Sequence, residues 1–405
     1  MLLFYLLAAV AIWFGLKSLF SGIRYASYVR QETAKPLAEF TPFVSVIAPN
    51  RGTDAGLEEN IAALLDQDYP SFEVLFVFDN PHDEALKIVA ELQRRYSHVK
   101  TRVVIAGPAT DSGQKVHNLR VATADVGSES EAFVFVDTDA RPGPKWLRQL
   151  VAPLQDPELG ASSGYRWFVP VDGGLASRLR AVWNASVASA LGADGQKNFC
   201  WGGSTAIRSS VFERLQIRDR WRGSVSDDFT ITSVLHEANL PIHFTPNCLV
   251  PAVGDCDFRE LLEFSTRQIK ITRVYAPHLW KAVLLGGFLF FLTFFGGIGL
   301  LVLRAFTGRP FLTLFAVLLL MFLLGAAKSF IRWRVIRIPL RTYRGLLNRD
   351  LPGQIVLWPF ASLLYLCNSI VAGFSRRIVW RGITYELKSP TEAVIISRKE
   401  MSDTL

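Results

Sequence analysis

Cysteine is scarce in this 405-residue sequence, and its four cysteines form no C-x-x-C pair. The sequence therefore carries no zinc-site signature and no disulfide framework. Charged residues are nearly absent from several long apolar stretches, which also contain no Gly/Pro-broken pair of helices. Without such features there is nothing to line a transport path, so a transporter is disfavoured.

The uncharged stretches are long enough to cross a bilayer. Residues 282–303 and 354–374 qualify clearly, and residues 310–327 do so at the lower limit of length. A fourth stretch, residues 1–23, is interrupted only by Lys17 and has no basic leader, so we expect a retained anchor rather than a cleaved signal. Together these stretches predict a multi-pass integral membrane protein.

Basic residues follow the first apolar stretch and fill the loop before the last one. By the positive-inside tendency, the catalytic region is expected on the cytoplasmic face, with its cysteines reduced. A full crossing by the last stretch would put basic residues outside, so either it is re-entrant or the tail is an exception. The predicted domains are an anchor, a cytoplasmic domain ending in an interface helix, a membrane region and a basic tail, at residues 1–23, 36–280, 281–375 and 376–405.

A net charge of +8 could indicate a protein that binds nucleic acid. Many of the cations flank the apolar stretches, where anionic lipid headgroups explain them. We therefore expect a membrane partner and no nucleic acid.

Strand and helix patterns alternate through the hydrophilic middle of the chain. Strands are predicted at residues 43–48, 72–78, 101–105, 132–136 and 161–169, and helices at 57–65, 84–96, 114–124, 145–154, 230–238 and 257–275. This alternation predicts an α/β fold with a parallel, doubly covered sheet of the nucleotide-binding type. Ligands of such sheets gather at the carboxyl ends of the strands.

Two acids separated by one residue, Asp137 and Asp139, follow the strand at 132–136. Residues two apart on an extended chain point to the same side, so both carboxylates could hold one Mg²⁺ or Mn²⁺ ion on a diphosphate. An isolated D-x-D is more often a turn at a strand end. Here its place at the ligand-binding edge favours the metal site.

Two further residues belong to the same predicted edge. Asp79 could accept hydrogen bonds from a pyrimidine or from ribose hydroxyls, or could simply begin the turn at Asn80-Pro81. Lys115 follows Gly113 at a helix start and could reach a phosphate, although a lone lysine there is usually solvated.

Three later motifs complete the candidate site. Trp201 could stack on a sugar while Gly202 and Gly203 admit the substrate, with a buried tryptophan at a tight bend as the alternative. Asp227 and Asp228 begin a helix, where acids are favoured by the helix dipole. Alternatively, Asp228 acts as a general base and Asp227 contacts the acceptor or the sugar. An amphipathic helix presents Arg267, Lys270 and Arg273 to a diphosphate or to lipid headgroups.

The order and spacing of these motifs over about residues 40–385 resemble the ceramide glucosyltransferase family, membrane-bound inverting glycosyltransferases with the GT-A fold. The stretch 380–385 is similar to the family's tail. The family's lysine and its three aspartates match Lys115, Asp79, Asp137 and Asp228, the last of these being the presumed base.

One signature of the family differs in this chain. Where the family has Gln or Arg, two residues, then Arg-Trp, this chain has Arg267-Gln268-Ile269-Lys270-Ile271. Lys270 keeps a positive charge but loses the bidentate fork of arginine. The missing tryptophan removes an aromatic side chain from the expected acceptor platform, where Gln268 is another candidate contact. Because processive polysaccharide synthases keep this tryptophan, its absence also argues against that class of enzyme.

The resemblance implies inverting transfer of one hexose, expected to be glucose, from a UDP-sugar to the hydroxyl of a membrane lipid, expected to be ceramide. Charge on the leaving diphosphate would be neutralised by the divalent cation, Arg267 and Lys270. The alternatives are another lipid acceptor (a diacylglycerol, hopanoid or carotenoid) or a non-catalytic membrane protein that binds nucleotide sugars. The presence of all the acids disfavours the second.

Overall fold

The computed structural model describes residues 1–54 and 56–398, and within them it contains ten strands and fifteen α-helices. The strands are β1 (Val44–Pro49), β2 (Phe72–Phe78), β3 (Lys100–Ile105), β4 (Ala132–Val136), β5 (Ala161–Val169), β6 (Ser204–Arg208), β7 (Ile242–Val253), β8 (Arg377–Trp380), β9 (Ile383–Ser389) and β10 (Glu392–Arg398). The helices are α1 (Leu2–Ala34), α2 (Leu57–Leu65), α3 (Ala85–Arg95), α4 (Gln114–Ala124), α5 (Trp146–Val151), α6 (Leu175–Ala188), α7 (Ser209–Arg214), α8 (Ile217–Arg220), α9 (Asp227–Glu237), α10 (Phe258–Tyr275), α11 (Pro277–Phe290), α12 (Gly296–Phe306), α13 (Leu312–Ile336), α14 (Arg344–Val356) and α15 (Trp358–Phe374). Short 3-10 turns lie at Ala152–Gln155 and Arg341–Tyr343, and a π-helical turn at Phe291–Phe295.

The chain divides into two compact units, each assembled from separated segments. Among the described residues, the sheet unit comprises residues 31–168, 191–254 and 376–398, and the helical unit comprises residues 1–30, 169–190 and 255–375. This division cuts across the linear one expected from the sequence, because α6 and α10 group with the apolar helices. The segment expected as a basic tail contributes strands β8, β9 and β10 to the sheet unit.

The main sheet of the sheet unit has the strand order β3-β2-β1-β4-β6-β5-β7 in the described part of the chain. Strand β1 is parallel to β2 and β4, and β2 is parallel to β3. Strand β6 runs antiparallel to both β4 and β5, so the predicted parallel arrangement holds for the first four strands and is broken by β6. The reversal pairs Val136, at the end of β4, with Ser204, at the start of β6.

Both faces of this sheet are buried. On one side Val46 of β1 packs in a cluster with side chains of α2, α3 and α5, and on the other Ile47 packs with side chains of α4 and α9. All seven residues of β2 are buried, which explains its unbroken apolar run. The predicted α/β class, with a sheet covered on both faces and accompanied by apolar helices, is confirmed.

The helical unit contains the apolar helices. Among the described residues, three helical stretches are long and apolar enough to cross a membrane, at Leu2–Ala34, Pro277–Phe306 and Leu312–Ile336. The helices at Arg341–Val356 and Trp358–Phe374 are bent by 69° and form either a broken span or a re-entrant loop. The last predicted stretch, 354–374, therefore runs through a sharp bend rather than along one straight helix.

The predicted interface helix is α10, and it also belongs to the helical unit. Asp257 caps it through the N–H of Glu260, whose side chain accepts in turn from the N–H of Asp257. Leu261 and Ile269 are buried against α6 and α15. The helix is therefore amphipathic, as its sequence predicts.

Candidate active site

The candidate site is assembled at one edge of the main sheet, where strand ends and loop starts meet. Asp79 follows β2, Asp137 and Asp139 follow β4, and Arg166 lies near the end of β5. Because β6 is antiparallel to β4, the Trp201–Gly203 segment that precedes β6 comes to the same edge. The topology thus brings together residues from separate parts of the sequence.

A cluster of five charged side chains forms the centre of this edge. Lys115 Nζ lies 2.7 Å from Asp137 Oδ1 and 3.2 Å from Asp227 Oδ2. Arg166 Nη2 lies 3.2 Å from Asp137 Oδ2 and 2.9 Å from Asp139 Oδ1. Four of the five members were predicted as site residues, and Arg166 was not.

Burial and ion pairing compete in this cluster. Burial disfavours the charged form of Lys115, but the carboxylates of Asp137 and Asp227 outweigh it and raise the pKa of Lys115. Burial also disfavours ionisation of Asp137, yet Lys115 and Arg166 hold the pKa of Asp137 below its usual value. Burial, with the charges of Asp228 and Asp137, raises the pKa of Asp227 to about 6 against the opposing effect of Lys115. Near neutral pH, Lys115 and Asp137 are charged.

Asp228 lies in the first turn of α9, which Ser226 caps. Its carboxylate accepts a hydrogen bond from its neighbour's N–H, with Phe229 N 2.8 Å from Asp228 Oδ1, and another from the Ser226 hydroxyl. Asp228 is partly exposed, whereas Asp227 is only 2% exposed. The accessible acid of the pair is therefore Asp228. Asp227 holds Lys115, which differs from the contact with acceptor or sugar predicted for it.

Gly202 and Gly203 are surrounded by the protein's own charged residues. A Cβ at Gly202 would overlap the Asp227 carboxylate and lie 2.8 Å from Lys115 Nζ. A Cβ at Gly203 would meet the Trp201 ring and lie 2.8 Å from Asp137 Oδ2. The glycines thus allow the cluster itself to close, in addition to the substrate access predicted for them.

Trp201 is partly buried beside the cluster. The Arg166 guanidinium carbon lies 5.1 Å from the centre of its ring, and the Tyr165 ring centre lies 5.7 Å away. An arginine in this position fixes the indole through a cation–π contact. The tryptophan is therefore coupled to the residue that bridges Asp137 and Asp139.

Asp79 is paired with a cation from the loop after β1. Arg51 Nη1 lies 2.5 Å from Asp79 Oδ2, and both side chains are largely buried. Burial raises the pKa of Asp79, and Arg51 opposes that shift. Arg51 was not predicted as a site residue.

The segment after residue 376 reaches the same part of the sheet unit. The Arg381 guanidinium pairs with both carboxylate oxygens of Asp54, Nη1 to Oδ1 at 2.6 Å and Nη2 to Oδ2 at 2.5 Å. The Tyr385 hydroxyl accepts a hydrogen bond from the N–H of Gln114 at 3.1 Å. Although burial opposes it, the carboxylates of Asp54, Asp139 and Asp137 raise the pKa of Arg381, so its charge acts on the D-x-D pair.

The remaining predicted site residues, Arg267, Gln268 and Lys270, lie on α10 in the helical unit. All three are partly buried, and Arg267 Nη1 is 4.0 Å from Glu263 Oε1. Burial lowers the pKa of Lys270. The predicted role of these residues at the diphosphate stays a prediction.

The donor atoms at Asp137 and Asp139 suit a hard divalent cation. No group of three or more His, Cys, Asp or Glu side chains in the described part of the chain is arranged to hold a metal. Mg²⁺, however, binds nucleotides through one or two carboxylates, with phosphate and water as its other ligands. Arg166 contacts the carboxylates of both Asp137 and Asp139, which shows that these two acids attract a positive charge. The residues fit the predicted ion.

Comparison with known proteins places these motifs in a family. The chain is 35% identical over 102 residues to ceramide glucosyltransferase 1 of Caenorhabditis elegans, covering 24% of this chain and 22% of that protein. It is 31% identical over 61 residues to ceramide glucosyltransferase of Komagataella phaffii, covering 15% and 12%. The chain thus matches less than a quarter of the length of these relatives.

A solved structure is similar over more of the chain. The mannosyltransferase PcManGT from Pyrobaculum calidifontis, in complex with GDP-Man and Mn²⁺, is 19% identical, with a TM-score of 0.48 over 91% of this chain and 99% of that one. The model of glycosyl transferase family 21 matches residues 3–393, which is nearly all of the sequence. The chain therefore belongs to glycosyl transferase family 21.

Proposed function

We propose that this protein transfers a single glucose from UDP-glucose to the hydroxyl of a membrane lipid, with ceramide as the acceptor, and inverts the anomeric configuration. The observation that carries the proposal is the convergence of Lys115, Asp137, Asp139 and Arg166 beside the accessible carboxylate of Asp228. Membership of glycosyl transferase family 21 and the ceramide glucosyltransferases among its relatives support the choice of donor and acceptor.

The donor nucleotide is bound along the edge formed by β1, β2 and β4. Asp79, held by Arg51, accepts hydrogen bonds from the uracil or the ribose. Lys115 and Arg166 present positive charge to the diphosphate. Arg381, whose charge already acts on Asp137 and Asp139, adds a third cation on the side of Asp54.

Asp137 and Asp139 hold a divalent cation, Mg²⁺ or Mn²⁺. When bound, the ion supplies Lewis-acid stabilisation of the charge that develops on the leaving diphosphate. Arg267 and Lys270 of α10 are proposed to contribute to the same stabilisation, since preorganised charge is usually the largest catalytic term.

The chemical step is a direct displacement. Asp228 takes the proton of the lipid hydroxyl, and the oxygen attacks the anomeric carbon of the glucose from the face opposite the nucleotide. The bond from the anomeric carbon to the diphosphate breaks as the new glycosidic bond forms, and UDP leaves with the electron pair. Asp227 does not react and keeps Lys115 in place.

The lipid acceptor accounts for the apolar helices. The three candidate spans and the bent pair anchor the protein in several passes, with the sheet unit on the cytoplasmic face where soluble nucleotide sugars are available. The basic residues that flank these helices favour this orientation.

The test is incubation of detergent-purified protein with radiolabelled UDP-glucose and Mn²⁺ or Mg²⁺, with ceramide beside diacylglycerol, followed by chromatography of the lipids. Label in ceramide supports the proposal and shows that Ile271 functions where relatives have tryptophan. Label only in diacylglycerol refutes the ceramide assignment. UDP-glucose binding without label in either lipid, with both metals, refutes both acceptors; it means that the acceptor or the sugar is different and directs attention to Arg267–Ile271 of α10.

A further inference from the structure

Helices α1 and α13 of the helical unit run side by side in the same direction. A Cβ at Gly15 would lie 3.1 Å from Leu324 Cδ1, and one at Gly22 would lie 3.0 Å from Lys328 Cγ. Between these points Lys328 Nζ donates a hydrogen bond to Ser18 Oγ at 2.8 Å. Because residue numbers rise together along both helices, their C-terminal ends lie next to each other.

At these adjacent ends the structure has a cavity of about 450 Å³. Four arginines and one isoleucine line it: Arg30 from α1, Arg334 from α13, Arg337 and Ile338 from the turn after α13, and Arg344 from the start of α14. Guanidinium groups from three separate segments therefore line one solvent-open cavity. None of the described residues that line it is acidic.

Three of the four arginines that line this arginine cavity are not paired with a carboxylate of the described residues. No carboxylate of a described residue lies within 4.0 Å of Arg334, Arg337 or Arg344. The Arg344 Nε–H donates to the carbonyl of Arg337 at 2.9 Å, and Arg337 lies over the Trp333 ring at 4.5 Å. The Nε atom of Arg337 is buried without a hydrogen-bond partner.

Helix ends alone do not explain such a cluster. A helix C-terminus stabilises a nearby cation by about 0.3–1 kcal/mol, and this falls off within the last turn. Four guanidinium groups around one space repel one another, and a bound anion removes that repulsion. Guanidinium groups bind phosphate bidentately, and ligand pockets typically occupy about 300–1,000 Å³. The cavity therefore has room for more than one isolated phosphate.

We propose that the arginine cavity binds the phosphate-bearing headgroup of an anionic membrane lipid. Both α1 and α13 are long and apolar enough to span a bilayer, so the ends that carry the cavity belong at headgroup level. This inference rests on the membrane insertion proposed above but not on sugar transfer. The bound headgroup ties together α1, α13 and α14, which contribute the arginines.

The test measures lipid binding by the full-length protein. Purified protein is placed in nanodiscs of phosphatidylcholine, and short-chain phosphatidylglycerol, short-chain phosphatidylcholine and inorganic phosphate are titrated separately. The cavity variant is Arg334→Gln/Arg344→Gln. The matched control is Arg341→Gln/Arg349→Gln, which removes the same charge from exposed arginines of the neighbouring 3-10 turn and of α14 that do not line the cavity.

We expect phosphatidylglycerol to bind in preference to phosphatidylcholine, and the cavity variant to lose at least tenfold in affinity, since it loses two charge-assisted contacts to the phosphate. The control variant should lose less than threefold. Equal losses in the two variants would show general attraction to basic residues and overturn the proposal. Inorganic phosphate binding as tightly as the lipid would overturn the lipid assignment. If the double variant unfolds, Arg334→Gln alone, at an exposed position, is compared with Arg341→Gln.

Discussion

Arg381 and Asp54 form an ion pair that uses both oxygens of the carboxylate, although 327 residues separate them. Arg381 has φ 49° and Gly382 has φ 75°, so this two-residue turn between β8 and β9 has positive φ at both positions. A non-glycine residue is uncommon in this conformation. The turn therefore retains an arginine at a position where glycine or asparagine would be less strained.

Replacing Arg381 with asparagine removes the positive charge but keeps the turn, because asparagine tolerates the left-handed conformation. We expect Arg381→Asn to fold with an unfolding temperature within a few degrees of the wild type and to raise KM for the UDP-sugar about tenfold, since a hydrogen bond to a charged group contributes about 1.5–3 kcal/mol. Lys388→Asn, at an exposed position of β9, is the control. An unchanged KM would remove Arg381 from the donor site.

Asp228→Asn should reduce kcat by about 10²–10⁴-fold, because the amide cannot accept the proton of the attacking hydroxyl. UDP binding, measured by calorimetry, should stay close to that of the wild type. Glu237→Gln, at the other end of α9 and paired with Arg220, is the control for helix stability. Loss of UDP affinity in place of kcat would assign Asp228 to nucleotide binding.

Gly202→Ala should weaken both the fold and donor binding. The new methyl group overlaps the Asp227 carboxylate and crowds Lys115, and such overpacking typically costs about 1–3 kcal/mol. Gly143→Ala provides the comparison, since no atom lies within 4 Å of its added Cβ. Thermal unfolding and UDP titration measure the two effects. A Gly202→Ala protein as stable as Gly143→Ala would contradict the packing described here.

Arg166→Gln should strengthen Mn²⁺ binding in the presence of UDP. Arg166 now contacts both Asp137 and Asp139, so an incoming ion competes with it for their charge. We expect an apparent Kd about tenfold lower and a correspondingly larger rise in unfolding temperature on adding Mn²⁺. Arg218→Gln, whose side chain pairs with Glu213, controls for the loss of one positive charge. Weaker Mn²⁺ binding would show that Arg166 supports the ion site.

The pKa of Asp227 predicts how its contribution to stability depends on pH. Its pKa rises from 3.8 to about 6 in the folded protein, so the folded state binds this proton more tightly than the unfolded state. Stability from this group is then lost as pH rises from about 4 to about 6 and is constant above. The difference in unfolding temperature, wild type minus Asp227→Asn, should fall over that range in nucleotide-free protein. A difference that grows with pH would mean a lowered pKa.

Local patterns in the sequence were sufficient for the elements that carry the site. The predicted bounds of α2, β2 and α4 coincide with those observed, because apolar spacing and flanking turns specify them within one short window. Asp79, Asp137 and Asp139 could be found because each follows a strand, and strand ends define the ligand-binding edge.

Three site arginines carried no such local signal. Arg166 and Arg381 meet carboxylates 27 and 327 residues away, and Arg51 meets one 28 residues away. The Arg166 pair depends on the reversal of β6, the Arg381 pair on the position of β8 and β9, and the Arg51 pair on the pairing of β1 with β2. One strand of the predicted basic tail does have a local signal, because the apolar residues Ile383, Tyr385 and Leu387 alternate with less buried residues, as expected for a β-strand. The many charged residues of this segment made it resemble a basic tail rather than a pair of strands.

The assembly of the sheet unit from three separated segments has a consequence for biosynthesis. A ribosome delivers the chain from its N-terminus, so Arg381 and Tyr385 emerge after all strands of the main sheet and after the apolar helices. A nascent chain can fold β1 to β7 before these residues exist. The nucleotide edge is then completed by the last strands to be synthesised, so donor binding matures only after the apolar helices have left the ribosome.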